Sequence, residues 1–190
     1  MISTRKKIVV IADQLIRSIG YNAFSYADIA NKLNIKNAAI HYHFSTKADL
    51  GKAVIEETRE KFNQNTKTWE DLPLIEQVKA FIEMYRKNEK NDCICFMGSL
   101  GSDYNSLPDE MRAELQIAHD EITTWLITRF DEGKKTGEFN FDESSVEMSN
   151  MITSGLLASL ILERVAKADN LEKMCETLIK RIDKNYSYGK

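Results

Sequence analysis

A chain of 190 residues with 43% apolar and 29% charged content can build a sizeable core in one or two domains. Only two prolines and eight glycines interrupt stretches rich in Glu, Lys, Leu, Ile and Ala, which favours an all-helical fold, and the apolar run Cys93-Ile94-Cys95-Phe96 is too isolated to found a sheet. The basic start MISTRKK is not followed by an apolar stretch of signal-peptide length, and no run of about 18 apolar residues offers a membrane span, so a cytoplasmic location is expected.

Residues 4–19 read as a first helix, with Ile8, Ala12, Leu15, Ile16 and Ile19 at helical spacing and Gly20 to end it. Tyr21, Ala23 and Phe24 lead on as core. From 25 to 50, SYADIANKLNIKNAAIHYHFSTKADL predicts two short helices joined by a tight turn and handed on to a third. Ser25 is a good N-cap. Asp28, three residues on, suits the helix dipole although it is not the Glu or Gln of a full capping box. Ile29, Ala30 and Leu33 give one apolar face, Asn34 stands where the turn needs a left-handed residue, and Ile35 and Ile40 drop onto that face. Lys36, Asn37, His41, Tyr42 and His43 then project outward, as a helix lying in a DNA major groove requires. On spacing alone, an amphipathic helical hairpin with a solvated polar side fits equally well.

The motif Ile40-His41-Tyr42-His43-Phe44, followed by Ser45, Lys47 and Leu50 and preceded by IGYNAFS and YADIANKLNI, resembles the TetR/AcrR family of bacterial transcriptional regulators. The resemblance implies an all-α fold of about nine helices, with a helix-turn-helix DNA-binding domain over 1–48 and a larger effector-binding and dimerisation domain over 49–190. Ser25, Tyr26, Tyr42 and Lys47 form the expected phosphate-binding group, because hydroxyls, a helix N-terminus and an ammonium satisfy phosphate oxygens without reading sequence. Lys36, Asn37, Ala38, Ala39, His41 and His43 fall where donors reach base edges and Ala methyls meet a thymine methyl. Tyr26 and Ala27 occupy positions that are often Thr and Arg-like in the family, which leaves Ala27 a reduced contact, and His41 stands where Tyr is more usual.

Ser45 or Thr46 can cap a helix that begins near Lys47 and runs to Thr66 or Trp69, roughly 30 Å at 1.5 Å per residue. Leu72-Pro73 breaks it. A further helix over 74–87 carries Ile75, Val78, Phe81, Ile82 and Tyr85, and a polar corner follows at 88–92. The segment 93–107 is the least regular, with Gly98, Ser99, Gly101 and Ser102 before Pro108 and room for a short helix. Asp109 begins a long helix with Met111, Leu115, Ile122, Leu126 and Phe130, which Gly133 to Gly137 closes; Phe139-Asn140-Phe141 then leads to a cap at Asp142. Two last helices are expected over 143–167 and 171–186. In the first of them Met151, Ile152, Gly155, Leu156, Ser159 and Leu160 make a small, apolar face. The resemblance implies that the last two helices pair with those of a second copy, and packing inside the subunit is the alternative.

Charge is unevenly spread. The whole chain carries −3, but residues 1–51 hold seven Lys or Arg against three acids, so they carry +4 and the remainder −7, as suits a phosphate-binding head on a body that avoids nucleic acid. Three cysteines and three histidines make no paired zinc motif, nucleophile elbow, phosphate-cradling loop or dinucleotide fingerprint, so no enzyme, metal or cofactor is expected. Cys93 and Cys95 are candidate thiol sensors, weighed against two small buried hydrophobes. Phe81, Tyr85, Met97, Tyr104, Trp125 and Met151 are candidate effector-pocket residues, with ordinary core as the alternative. The expected protein is a sequence-specific DNA-binding regulator. More finely, it is a ligand-responsive repressor that binds a palindromic operator in double-stranded DNA as a homodimer, with no membrane partner. The alternatives are a helical small-molecule-binding or thiol- and electrophile-sensing protein of the same fold, and an activator.

Overall fold

The computed structural model describes residues 2–166 and 168–183, which form nine α-helices: α1 Thr4–Ile19, α2 Tyr26–Leu33, α3 Asn37–His43, α4 Lys47–Trp69, α5 Leu74–Lys90, α6 Phe96–Ser102, α7 Asp109–Thr136, α8 Ser145–Ala166 and α9 Asn170–Ile182. They build two compact units. One is the chain up to Asn63 with Cys95–His119; the other is Gln64–Ile94 with the chain from Asp120 on. The helix-turn-helix lies in the first unit, and α4 and α7 each contribute to both units.

In the first unit α1 packs with α2, α3 and α6. Its buried stripe of Ile8, Val9, Ala12, Leu15 and Ile16 follows the helical period, Ser3 caps its start by accepting the Lys6 N–H at 3.2 Å, and Gly20 at φ 93° ends it in a conformation that disfavours a side chain. The segment expected to be irregular forms α6 and a 3-10 turn, Tyr104–Ser106. Arg59 of α4 pairs with Glu114 of α7 at 2.6 Å.

In the second unit α5, α8 and α9 pack together, and Arg86 grips Glu172 with two hydrogen bonds of 2.7 and 2.8 Å between α5 and α9. Several expected boundaries shift. Helix α5 runs to Lys90, past the expected corner at 88, because Asn88–Lys90 has no breaker and Lys87 and Lys90 suit a helix C-terminus. Helix α8 begins at Ser145 and not at 143: Ser144 and Glu147 make a reciprocal capping box, with the Ser144 N–H donating to Glu147 at 2.8 Å and the Glu147 N–H to Ser144 Oγ at 3.2 Å, so Asp142 is not the cap. The expected helix ends at Lys167 and Tyr186 lie outside the described residues.

Helix α7 ends at Thr136, within the expected close from Gly133 to Gly137, with Gly137 at φ 73° just past it, while Gly133 lies inside the helix. Gly133 is a close-approach site, where an added Cβ would lie 2.1 Å from the Phe139 ring. That ring is buried and packs on Phe130 at 6.0 Å between centroids, so it has little room to swing away. Gly133→Ala gains helix propensity of up to about 1 kcal/mol. It is nonetheless expected to destabilise the protein by about 1–2 kcal/mol, since overpacking outweighs propensity; the denaturation midpoint in urea reports the sign.

Helix α8 is long and apolar enough, by length and composition, to cross a membrane, which the expectation of no apolar run of that length did not anticipate. Much of it serves as core. Ile152, Leu156, Ser159 and Leu160 are buried, and Gly155 faces Met174 of α9, whose sulfur lies 3.1 Å from where a Cβ would stand. Five of the six residues expected at a dimer interface therefore point into their own subunit. A small residue admits a helix of the same chain as readily as one from a partner, and here α9 takes the place. Met151 alone of the six is on the exposed side.

Candidate nucleic-acid interface

The reading element is assembled from α2, its turn and α3. The Asp28 carboxylate accepts both the backbone N–H and the hydroxyl of Ser25 at 2.7 Å, so Asp makes the carboxylate half of the capping box that was expected to need Glu or Gln. These bonds hold the Asp28 carboxyl below its ordinary range. Asn34 adopts the left-handed conformation, φ 53° and ψ 49°, and the next N–H, from Ile35, returns to the Ala30 carbonyl at 3.1 Å. That turn throws α3 across α2, with Ile40 fully buried and Phe44 nearly so beneath it.

The opposite side of α3 is open. Lys36, Asn37, Ala38, His41 and Tyr42 are exposed, Tyr42 to 86%, while Ala39 and His43 are half-covered. His41 is held edge-on by the Tyr26 ring at 4.8 Å, and His43 by Tyr42 at 5.1 Å. The structure thus brings together five of the six expected base-side residues on one short helix and the sixth, Lys36, at its N-cap, with Ala27 exposed on α2 nearby in sequence.

Three of the four residues expected to meet phosphates are occupied internally. The Ser25 hydroxyl donates to Asp28. The Tyr26 hydroxyl shares its one proton between the carbonyls of Phe44, at 3.0 Å, and Thr46, at 2.5 Å, and burial, then Asp49 and Tyr21, push its pKa up to about 12. Lys47 donates to the Phe24 carbonyl at 2.5 Å and sits 4.3 and 4.8 Å above the Phe24 and Tyr21 rings. Burial pushes the Lys47 pKa down, and Asp103 and Asp28 oppose it. A hydroxyl has one proton to give, so Ser25 and Tyr26 brace the motif instead of donating to phosphate. Thr46 and Asp49 cap α4 reciprocally, at 2.9 and 3.0 Å.

Sequence reasoning missed two contributors. Arg5, noticed only as part of a basic start, stacks its guanidinium over Phe44 at 4.9 Å. Asp103, which carries no local signal, accepts the backbone N–H of Tyr21 at 3.0 Å and of Asn22 at 3.4 Å.

The expected effector residues separate. Phe81, Tyr85 and Trp125 meet in the second unit, with ring centroids 5.6 and 6.0 Å apart, and Trp69, which was not anticipated, joins Trp125 at 5.7 Å. Beside them the buried Gln77 donates to the Leu72 carbonyl at 2.9 Å and accepts from Arg129 at 3.1 Å. Met97 and Tyr104 belong to the first unit, and Met151 is exposed on α8.

Cys93 and Cys95 are both buried. Cys95 caps α6, its sulfur accepting the Gly98 N–H at 3.3 Å, and burial pushes its thiol up, against weaker pulls from Gly98 and the Arg17 guanidinium. Thiolate chemistry needs the reverse on both counts. Native protein is expected to react with an aromatic disulfide reagent about a hundredfold more slowly at Cys95 than urea-unfolded protein does; equal rates would restore the sensing thiol.

An exposed apolar stripe runs along α8. Met151, Ser154, Ala158, Ile161, Leu162 and Val165 recur at three- and four-residue steps on its open side, Leu162 exposed to 55% and Val165 to 79%.

The family model "Bacterial regulatory proteins, tetR family" matches residues 8–54, the span from α1 through the start of α4. A protein described as a probable HTH-type transcriptional regulator, ArpR of Pseudomonas putida, is 22% identical over 92% of this chain and 89% of its own. The crystal structure of a TetR transcriptional regulator from Legionella pneumophila superposes with a TM-score of 0.85 at 29% identity, covering 96% of this chain and 99% of that one. A TetR-family regulator from Agrobacterium tumefaciens shares the fold with a TM-score of 0.86 at 24% identity, over 94% and 97%. With its helix-turn-helix built and faced as described, residues 8–54 form a DNA-binding domain of the tetR type, and the chain is similar over nearly its whole length to TetR-family transcriptional regulators.

Proposed function

We propose that the chain is a ligand-responsive repressor that binds a palindromic operator as a homodimer, with residues 1–48 as reading head and 49–190 as effector-binding and dimerisation body. The observation that carries the reading is the division of α3, with Ile40 fully buried on one side and Lys36, Asn37, Ala38, His41 and Tyr42 exposed on the other. Lys36, Asn37 and His41 offer donors to base edges and Ala38 a methyl to thymine, while Tyr42, exposed to 86%, meets the backbone. One such head reads too few bases for a specific site, and two-fold helix-turn-helix proteins set their recognition helices roughly 34 Å apart. The α8 stripe supports a second copy as the partner. The Trp69, Phe81, Tyr85 and Trp125 cluster supports an apolar or aromatic effector that favours a body conformation in which the heads are wrongly spaced, so that ligand and DNA binding oppose one another.

Duplexes enriched from a random pool by the purified protein should contain an inverted repeat, and a reporter with that repeat across its promoter should fall silent when the protein is present. Affinity for the enriched duplex should drop by about two to three orders of magnitude between roughly 50 and 200 mM salt, as expected for some four to six phosphate contacts. Failure to enrich any duplex, or a flat salt response, overturns the DNA-reading head; a non-repeated site overturns the dimeric reading.

A further inference from the structure

We infer that Asp103 is a positioning residue for DNA reading: its carboxylate latches the turn between α1 and α2 and so sets where the helix-turn-helix lies relative to α1. The inference rests on the DNA-binding reading of α3 and concerns how that face is held.

Asp103 is 82 positions downstream of Tyr21, yet one of its oxygens, Oδ2, collects the two successive backbone N–H groups of Tyr21 and Asn22. These amides follow Gly20, outside any helix, in a turn that the Ala23 N–H closes on the Gly20 carbonyl at 3.4 Å, and it is the Asp103 carboxylate that accepts from them. Two further bonds fix the same segment. Ser99 Oγ donates to the Ile16 carbonyl at the end of α1, and the Asn22 side chain donates to Ser106 Oγ at 2.9 Å. Ser106 is itself tied to the Asp103 carbonyl at 2.7 Å, so α6 and the 3-10 turn after it grip the α1 terminus, the turn backbone and the turn side chain together.

From the latch a continuous path leads to the reading face. The buried Tyr21 ring meets the Phe24 ring edge-on at 6.2 Å, and the Lys47 ammonium lies over both while bonding the Phe24 carbonyl. Phe24 immediately precedes Ser25, the N-cap of α2; from α2, Tyr26 packs on the His41 ring and bonds the carbonyls of Phe44, which ends α3, and Thr46, which precedes α4. A shift of the turn is therefore a shift of α2 and α3 against α1. Asp103 is half-exposed and Asn22 exposed, so if the carboxylate is removed, water can take over the freed N–H groups. The fold should then lose little, whereas the geometry of the reading face should lose its reference.

The test uses the full chain and duplexes enriched from a random pool by the wild-type protein, with a scrambled duplex as comparison. Asp103→Ala is expected to lose about tenfold or more in affinity for the enriched duplex, the size of one misplaced base contact, while scrambled-duplex affinity, its salt slope and the thermal midpoint stay near wild type. Asp103→Asn keeps an acceptor oxygen in the same place and is expected to retain the preference within about threefold. Should the alanine variant lose its helical circular dichroism, Asp103→Glu, which moves the carboxylate by one methylene, replaces it with the same expected loss. Wild-type preference in the alanine or glutamate variant overturns the inference. Equal losses in Asp103→Ala and Asp103→Asn also overturn it, since they would assign the effect to charge near Lys47 and not to the latch. Loss of enriched and scrambled binding in parallel with the thermal midpoint overturns it as well, in favour of a stability role. A wild-type protein that enriches no duplex fails the DNA-binding reading itself, which no variant result can mimic.

Discussion

A protein carrying both Asn37→Ala and His41→Ala is expected to stay folded and lose its preference for its operator by about a hundredfold or more, because each good base pairing is worth about 1–3 kcal/mol of discrimination. Both side chains are exposed on α3, and neither supports the core, which Ile40 and Phe44 make on the other side. Within the fold the substitutions remove only the edge-on packing of His41 against the Tyr26 ring, while the Tyr26 hydroxyl keeps its bonds to Phe44 and Thr46. Stability should therefore change by no more than about 0.5 kcal/mol, as for most surface substitutions. Competition between enriched and scrambled duplexes, run beside thermal unfolding, separates the two effects. An operator preference equal to wild type in the folded double variant would remove these residues from the reading set.

On the dimeric reading proposed above, placing two charges on the α8 stripe, by Leu162→Glu with Val165→Glu, is expected to leave a folded monomer. In a single chain both positions are open to water, so the carboxylates cost the isolated subunit little. Buried against a second copy, they would meet apolar side chains and each other's like charge without partners. The cost would be several kcal/mol, enough to raise the dimer dissociation constant by about a thousandfold. Operator affinity should fall with it, since a lone head holds half a site. Ile152→Glu makes the contrast: Ile152 is fully buried within its own subunit, so this substitution should unfold the chain and not merely divide the dimer. Sedimentation of the double variant as a dimer would move the interface away from this stripe.

Much of the fold can be read residue by residue. The start and end of α1, the cap at Ser25, the left-handed Asn34 and the buried Ile40 all follow from rules that act within one helical turn, and the structure places each as expected. Local rules fail where a nearby residue does the same job better. Asp142 reads as the cap, but Ser144 has Glu147 three residues beyond it and takes that place. Gly133 to Gly137 reads as a terminator and Gly137 at φ 73° follows the last helical residue, but that Gly133 is also a packing site shows only when Phe139 returns onto it.

The functional residues divide in the same way. Types suited to DNA were legible: hydroxyls, an ammonium, amides and imidazoles clustered around a helix-turn-helix signature. Which of their donors were free was not, since Ser25, Tyr26 and Lys47 spend protons on Asp28, Phe44, Thr46 and Phe24 over distances of three to 23 residues. A sequence states what a side chain can donate, never what already accepts from it. The aromatic cluster shows the same gap, with Trp69 brought to Trp125 from another helix and Met97 and Tyr104 assigned to the other unit.

The sequence by itself determined the class of the molecule: an all-helical chain with a helix-turn-helix near its start, because helical period, caps and the turn residue are short-range and the family motif lies in one continuous stretch. Only the tertiary structure decided which faces those helices spend on themselves. It turned five of the six expected interface residues of α8 inward toward the chain's own core, left Leu162 and Val165 open, and brought Asp103 to the turn before α2. The physical reason is that burial and hydrogen-bond pairing are settled between segments far apart in the chain, where an apolar or polar side chain looks the same whether its partner is its own subunit, a second copy or DNA.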